Sequence, residues 1–256
     1  DRREVGVVAA DTLEMGSMSP TAKITGYSGF KTIGLGANRI TVTGDLGGTI
    51  DVTSGPSAAE GVMGYFGITL NSTSVVIHAT GPGETQGMKT SGNLNVTNLG
   101  GSITSTATGS GEGWGLFSDK NITLGSASAN ITISSVHGMS TGMFARGYLT
   151  INGDLSGTLL ATSGSGSAHG LWSCGIDNIS PGFISLHNMS GSIKVDGDSD
   201  SYGIIADGVN IPGGTYLGGT ISITDLGGRI SVNSGSGKGF GLGAESGITL
   251  GSANST

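Results

Sequence analysis

The chain has 256 residues, with 51 Gly, 5 Pro, 11% charged and 5% aromatic residues and a formal net charge of −7. Glycine at about one fifth with so little proline excludes collagen, and interior glycines costing about 1 kcal/mol each exclude helical bundles. Recurrent Ile, Val and Leu exclude a disordered linker, and the eleven basic residues, nowhere clustered, exclude nucleic acid and anionic membrane surfaces as partners.

What remains is an all-β protein with many tight turns. Residues 1–20 open it with Asp1-Arg2-Arg3-Glu4 and show no signal-peptide cleavage pattern. Their apolar run at 5–10, interrupted by Gly6, is too short to be a transmembrane segment. Rich in Val and Met, they lie outside the repeat that follows and read as an N-terminal cap or docking strand. From residue 21 to 256 three words recur in fixed order. The first is GTIDVTS at 48–54, GSIKVDG at 191–197 and GRISVNS at 228–234. Next comes Gly, a large apolar residue, any residue, then Ala or Ser, as at Leu35/Ala37, Leu116/Ser118, Met143/Ala145, Leu171/Ser173, Ile204/Ala206 and Leu242/Ala244. The third is GITL or a variant at 67–70, 121–124, 148–151 and 247–250. Stacked by these words, the chain divides into eight units beginning near Thr21, Gly48, Val75, Gly101, Asn130, Gly157, Gly191 and Gly228, within the range of solenoid repeats.

Within each word apolar residues stand two apart, the period of a strand with one buried face. Gly-rich clusters at 108–113 and 234–239 separate the strands as turns, because Gly adopts positive φ at little cost. Such short strands cannot bury an apolar side alone. Stacking predicts inward ladders of Ile103, Ile131, Leu159, Ile193 and Ile230; of Leu116, Met143, Leu171, Ile204 and Leu242; and of Leu124, Ile151, Leu186 and Leu250. Small partners such as Ala145, Ala206 and Ala244 suit a narrow, layered interior. The predicted fold is a parallel β-helix (β-solenoid) with three short strands per coil. At ~4.8 Å per coil the eight coils make a rod roughly 40 Å long. A β-sandwich of regular hairpins is the alternative, but it would not repeat three words in one order. The single Cys174 leaves no intrachain disulfide.

The sixth and seventh units are the longest, with longer loops around 174–182 and 209–219. Loops inserted in a solenoid emerge on one flank, so Trp172, Phe183 and Tyr216 form a candidate ligand-contact set. In the seventh unit Asp196, Asp198 and Asp200, with Asp207 eleven residues after the first, echo the spacing of a calcium loop. Ser201 stands where that loop wants Gly, so an exposed acidic turn is the competing reading. No other cofactor is indicated. Seven Asn-x-Ser/Thr triplets, at Asn71, Asn95, Asn121, Asn130, Asn178, Asn188 and Asn254, are candidate glycosylation sites. The four histidines, His78, His137, His169 and His187, fall on different coils and read as surface residues rather than catalytic ones. An ice-binding Thr column through Thr41, Thr69, Thr123 and Thr249 is interrupted by Asn95 and Ser185.

The words GTIDVTSG, GMFARGYLTI and SGKGFGLGAESGITL resemble the passenger regions of autotransporter-type bacterial surface proteins and related β-helical adhesins, and the resemblance covers nearly all of residues 21–256. It implies export, an extracellular rod at the cell surface, and adhesive or structural work without catalysis, with a surface glycan or host receptor as partner. A β-helical polysaccharide-degrading enzyme is the alternative, which requires clustered carboxylates on one face. The residues 251–256 repeat the pattern of 125–130, which leads into a further coil. This suggests partners end to end, either further repeats of a longer repetitive chain or other copies in a head-to-tail filament.

Overall fold

Alternation of apolar and polar residues sends every second side chain of the first word inward. In the computed structural model, which describes residues 3–175, 180–211 and 215–253, these strands form one eight-stranded parallel sheet. Its strands are Lys23–Ser28, Thr49–Ser54, Val76–Gly81, Ser102–Ala107, Asn130–Ser135, Thr158–Ser163, Ser192–Gly197 and Arg229–Ser234. Ile24, Ile50, Ile77, Ile103, Ile131, Leu159, Ile193 and Ile230 are successive partners across it. Ile50, Ile77 and Ile103 are fully buried, and each such side chain contributes about 1.5–3 kcal/mol. A polar residue in this interior is tolerated only with a partner: buried Ser105 donates to Thr85 Oγ1 across the core at 2.7 Å.

The second and third words form the other two faces of the coil. In the first two coils they run without interruption through the long strands Lys31–Leu46 and Ala59–Thr73. From the third coil onward they separate into Thr85–Thr90 and Asn93–Leu99, Gly113–Ser118 and Ile122–Ala127, and their successors. Because the long strands are continuous, faces two and three belong to a single 16-stranded hydrogen-bonded sheet. On face two, Leu35, Val62, Met88, Leu116, Met143, Leu171, Ile204 and Leu242 stack in register. On face three the ladder runs Val42, Leu70, Val96, Leu124, Ile151, Leu186, Ile223 and Leu250. The chain is thus an all-β parallel solenoid of about eight turns, as predicted. Gly48 and Gly101, at the corner between faces three and one, take φ of 77° and 79°, a turn geometry that a side chain would oppose.

Two parts of the chain differ from expectation. Residues 3–18 do not stand outside the repeat. Arg3–Val8 pairs in parallel with Lys31–Gly36, and Thr12–Met15 pairs with Arg39–Val42, so they continue faces two and three by another turn. The physical reason is alternation: Leu13 and Met15 stand two apart and pack against the core cluster, as the third word does in every coil. The second difference is at 209–219, where the expected loop contains an antiparallel hairpin of Val209–Ile211 and Thr215–Leu217. Residues 176–179 of the other long loop lie outside the described residues.

Candidate binding face

The second word creates an unusual outer surface. In Gly113–Ser118, Leu116 points inward and is fully buried. A Cβ built on Gly115 would also point inward, into Ile131 of face one. Two successive inward positions require a kink, and the strand register skips this glycine on both sides. The same collision awaits a Cβ at Gly34, Gly61, Gly87, Gly142, Gly170 and Gly203, each against an Ile or Leu of face one. The glycine is therefore set by close approach. The kink leaves the residue before the glycine and the second residue after it on the outside, facing each other. Trp114 and Phe117 occupy these places, with ring centroids 5.2 Å apart. Trp114 and Phe144 are both only 5% exposed, yet neither belongs to the central core cluster, so they pack on one another outside it.

Stacking turns these positions into two outward rows along the rod. One runs Ile33, Glu60, Gln86, Trp114, Thr141, His169, Tyr202 and Phe240; the other includes Met63, Lys89, Phe117, Phe144, Trp172 and Ile205. Across the middle coils the rings touch continuously. Phe117 stacks on Phe144 at 5.1 Å, Phe144 meets Trp172 at 4.8 Å, and Trp172 meets His169 at 4.8 Å. His169 leads on to Tyr202 at 5.6 Å, and Tyr202 stacks on Phe240 at 5.4 Å. Aromatic pairs of this kind add about 0.5–1.5 kcal/mol each beyond burial.

The two ends of the face carry different electrostatics. Toward the N-terminus the fully buried Glu60 carboxylate is paired with Lys31 Nζ at 3.0 Å and Lys89 Nζ at 3.5 Å, and Lys89 also lies 5.6 Å over the Phe117 ring. Toward the C-terminus the Trp172 indole N–H donates to Asp207 Oδ2 at 2.7 Å. Burial raises the Asp207 carboxyl above its usual value, opposed by that hydrogen bond and reinforced by Glu245. Burial also pushes His169 down to about 4. Gln86 Oε1, Trp114 Nε1, Thr141 Oγ1 and His169 Nδ1, one in each of four successive coils, are buried polar atoms without a hydrogen-bond partner among the described residues. The half-buried rings of Phe117, Trp172 and Tyr202 and the exposed ring of Phe240 are the aromatic parts of the face that reach solvent, while Trp114, Phe144 and the four unpartnered polar atoms are buried. Such a surface can stack flat against another ring.

The residues singled out from the sequence do not form one site. Trp172 belongs to this face, but Phe183 begins a face-three strand, where its ring meets Tyr148 at 5.9 Å. Tyr216 lies on the hairpin and is half exposed. The three share neighbouring coils but point from different elements, because a loop in sequence became strand and hairpin in space. Asp196 sits on the outer side of face one and accepts from Asn233 Nδ2 at 2.9 Å. Asp200 Oδ1 accepts from the Lys238 amide at 2.8 Å, while the Asp198 carbonyl accepts from the Ser236 amide at 2.6 Å and from its hydroxyl at 2.9 Å. Among the described residues no group of three or more His, Cys, Asp or Glu is arranged to hold a metal ion, so the three aspartates are not gathered into a calcium loop. The Asp200 carboxylate and the Asp198 carbonyl hold the turn of the next coil, while Asp196 bonds its strand partner Asn233.

Of the Asn-x-Ser/Thr sites, Asn71, Asn95 and Asn130 are exposed, while Asn121 and Asn188 are half-buried. Asn121 is used structurally: its Oδ1 accepts from the Tyr148 amide at 2.8 Å. Asn178 and Asn254 lie outside the described residues. His78, His137 and His187 are exposed as expected, but His169 is not, at 7% exposure. Trp172 and Tyr202 cover it, and contacts of that kind follow from coil stacking rather than from neighbours in sequence. Sequence reading missed Trp114, Phe117, Phe144, Tyr202 and Phe240. The available signal was their constant phase around the glycine of the second word. Scans against protein-family models, curated proteins and solved structures each find no match to this chain.

Proposed function

We propose that this chain is a non-enzymatic extracellular rod, adhesive or structural, of the kind found in autotransporter passenger regions, and that it contacts carbohydrate through face two. The observation that carries this reading is the unbroken outward aromatic path from Trp114 and Phe117 to Phe240. A solenoid holds such rings at the regular spacing of its strands, and extended polysaccharide chains present successive apolar ring faces along one line. Stacked aromatics provide contact area with little loss of rotamer freedom. The acidic net charge favours neutral or cationic glycans over anionic ones.

Binding to a panel of neutral, anionic and amino-bearing oligosaccharides tests the proposal. We expect association with at least one neutral or amino-bearing glycan, weakened at least tenfold in a Phe117→Ala/Trp172→Ala double variant that retains a cooperative melting transition. Release of shortened oligosaccharides on prolonged incubation would overturn the non-enzymatic reading. Absence of any glycan binding would overturn the carbohydrate reading.

A further inference from the structure

The outward rows change character where the seventh and eighth coils meet. Tyr202 and Phe240 lie nearly parallel there, 12° apart, and a shallow pocket of about 220 Å³ opens beside them. Ile205, Asp207, Ala244 and Glu245 complete the parts of its wall that matter here. Pockets for drug-sized ligands run to about 300–1,000 Å³, so this one suits a single small ring or side group.

Two carboxylates border the pocket, and among the described residues neither takes part in an ion pair. Each is held in place by a hydrogen bond that leaves its charge intact. Asp207 Oδ2 accepts from the Trp172 indole, and Glu245 Oε2 accepts from the Gly208 amide at 2.6 Å. The charges act on one another: burial first, and then Glu245, raises the Asp207 carboxyl. The Tyr202 phenol is likewise raised, by burial, then Asp200 and Asp207. A site where anions crowd beside aromatic rings is relieved by a cation. Rings and carboxylates together are the recognised environment for ammonium groups.

We infer that this pocket binds a protonated primary amine carried on a sugar ring, with the ring against Phe240 and Tyr202 and the ammonium group taken by Asp207 and Glu245. The inference rests on the carbohydrate reading above and specifies its ligand class. An N-acetylated sugar loses the charge that the carboxylates attract, and an anionic sugar is repelled.

Titration with a β-1,4-linked glucosamine tetramer and with its fully N-acetylated counterpart, under conditions where the amine carries its proton, tests it. The full chain should bind the free-amine tetramer at least tenfold more tightly. Asp207→Asn and Glu245→Gln should each reduce that ratio severalfold while leaving the affinity for the acetylated tetramer unchanged. Phe240→Ala should weaken both tetramers, because it removes ring contact rather than charge. Equal affinity for the two tetramers would overturn this inference and leave the carbohydrate proposal standing. A ratio unaffected by either carboxylate variant would overturn the pocket assignment. Binding of a lysine tetrapeptide as tight as that of the glucosamine tetramer would overturn the sugar component. Failure of every glycan to bind would overturn the broader proposal as well.

Discussion

The inner and outer sides of face two share the same strands and the same pairing, yet they obey different rules. Inward, Leu116, Met143, Leu171 and Ile204 are interchangeable hydrophobes, all fully buried. Outward, Trp114, Thr141, His169 and Tyr202 occupy the equivalent places in the same four coils and share almost no chemistry. The interior has no water to satisfy a polar group, so each coil must supply the same kind of side chain. The outer rows pack on one another and on their stacked neighbours outside that interior, where rings and polar side chains of different shapes are accommodated. The repeat therefore records packing, and the outer side is where the coils depart from it.

The sharpest way to break this contrast is to place a charge on each side of one strand. Ile193→Asp puts a carboxylate into the dry interior and should cost about 4–5 kcal/mol, while Lys194→Asp on the outside should change stability by less than about 0.5 kcal/mol. Denaturant unfolding of the two variants measures the difference. Equal losses would mean that the inward register is wrong.

A second effect belongs to the outer rows alone. His169 is pushed down to about 4 by burial, against an unfolded value near 6.5. The unfolded chain therefore binds the proton more readily, and stability should fall as pH drops from about 6.5 through 4, by on the order of 3 kcal/mol. Asp207, whose carboxyl is raised, works in the opposite direction over part of that range. Comparing melting against pH for the parent and for His169→Gln isolates the histidine. The variant should show the shallower acid-side decline.

The kink that separates inner from outer side can be tested at Gly170. A Cβ there would run into Ile193 and the Gly203 carbonyl, so Gly170→Ala should destabilise by about 1–3 kcal/mol although it adds only one methyl group. Gly16, where nothing lies within reach of a Cβ, should accept Ala with little change. The smallest expected effect is at the ring path. Trp172→Phe keeps the aromatic contact but removes the hydrogen bond to Asp207, for a loss of about 1.5 kcal/mol by thermal unfolding. If Trp172→Phe costs as much as Trp172→Ala, the ring contacts with Phe144 and His169 contribute nothing.

Parallel strands and the composition of the inward ladders were determined by the sequence alone, whereas the merging of faces two and three into one strand in the first two coils was not. A period of two and three words recurring in fixed order leave one way to bury Ile131, Leu159 and Ile193 together. The hydrophobic effect requires only that matching positions recur, and recurrence is visible in one dimension. The outer face was not visible in this way. Trp114, Phe144 and Trp172 are separated by whole coils and meet only because strands stack in register. Glu60 looks like an ordinary surface acid until Lys31 and Lys89 close over it from the coils on either side. Residues 3–18 looked unrelated to the repeat, because two of its three words are present there in weakened form and backbone pairing supplies the remainder. Such contacts depend on strand register and on the kink at each glycine, which set how side chains from different coils converge. Only the tertiary structure decided them.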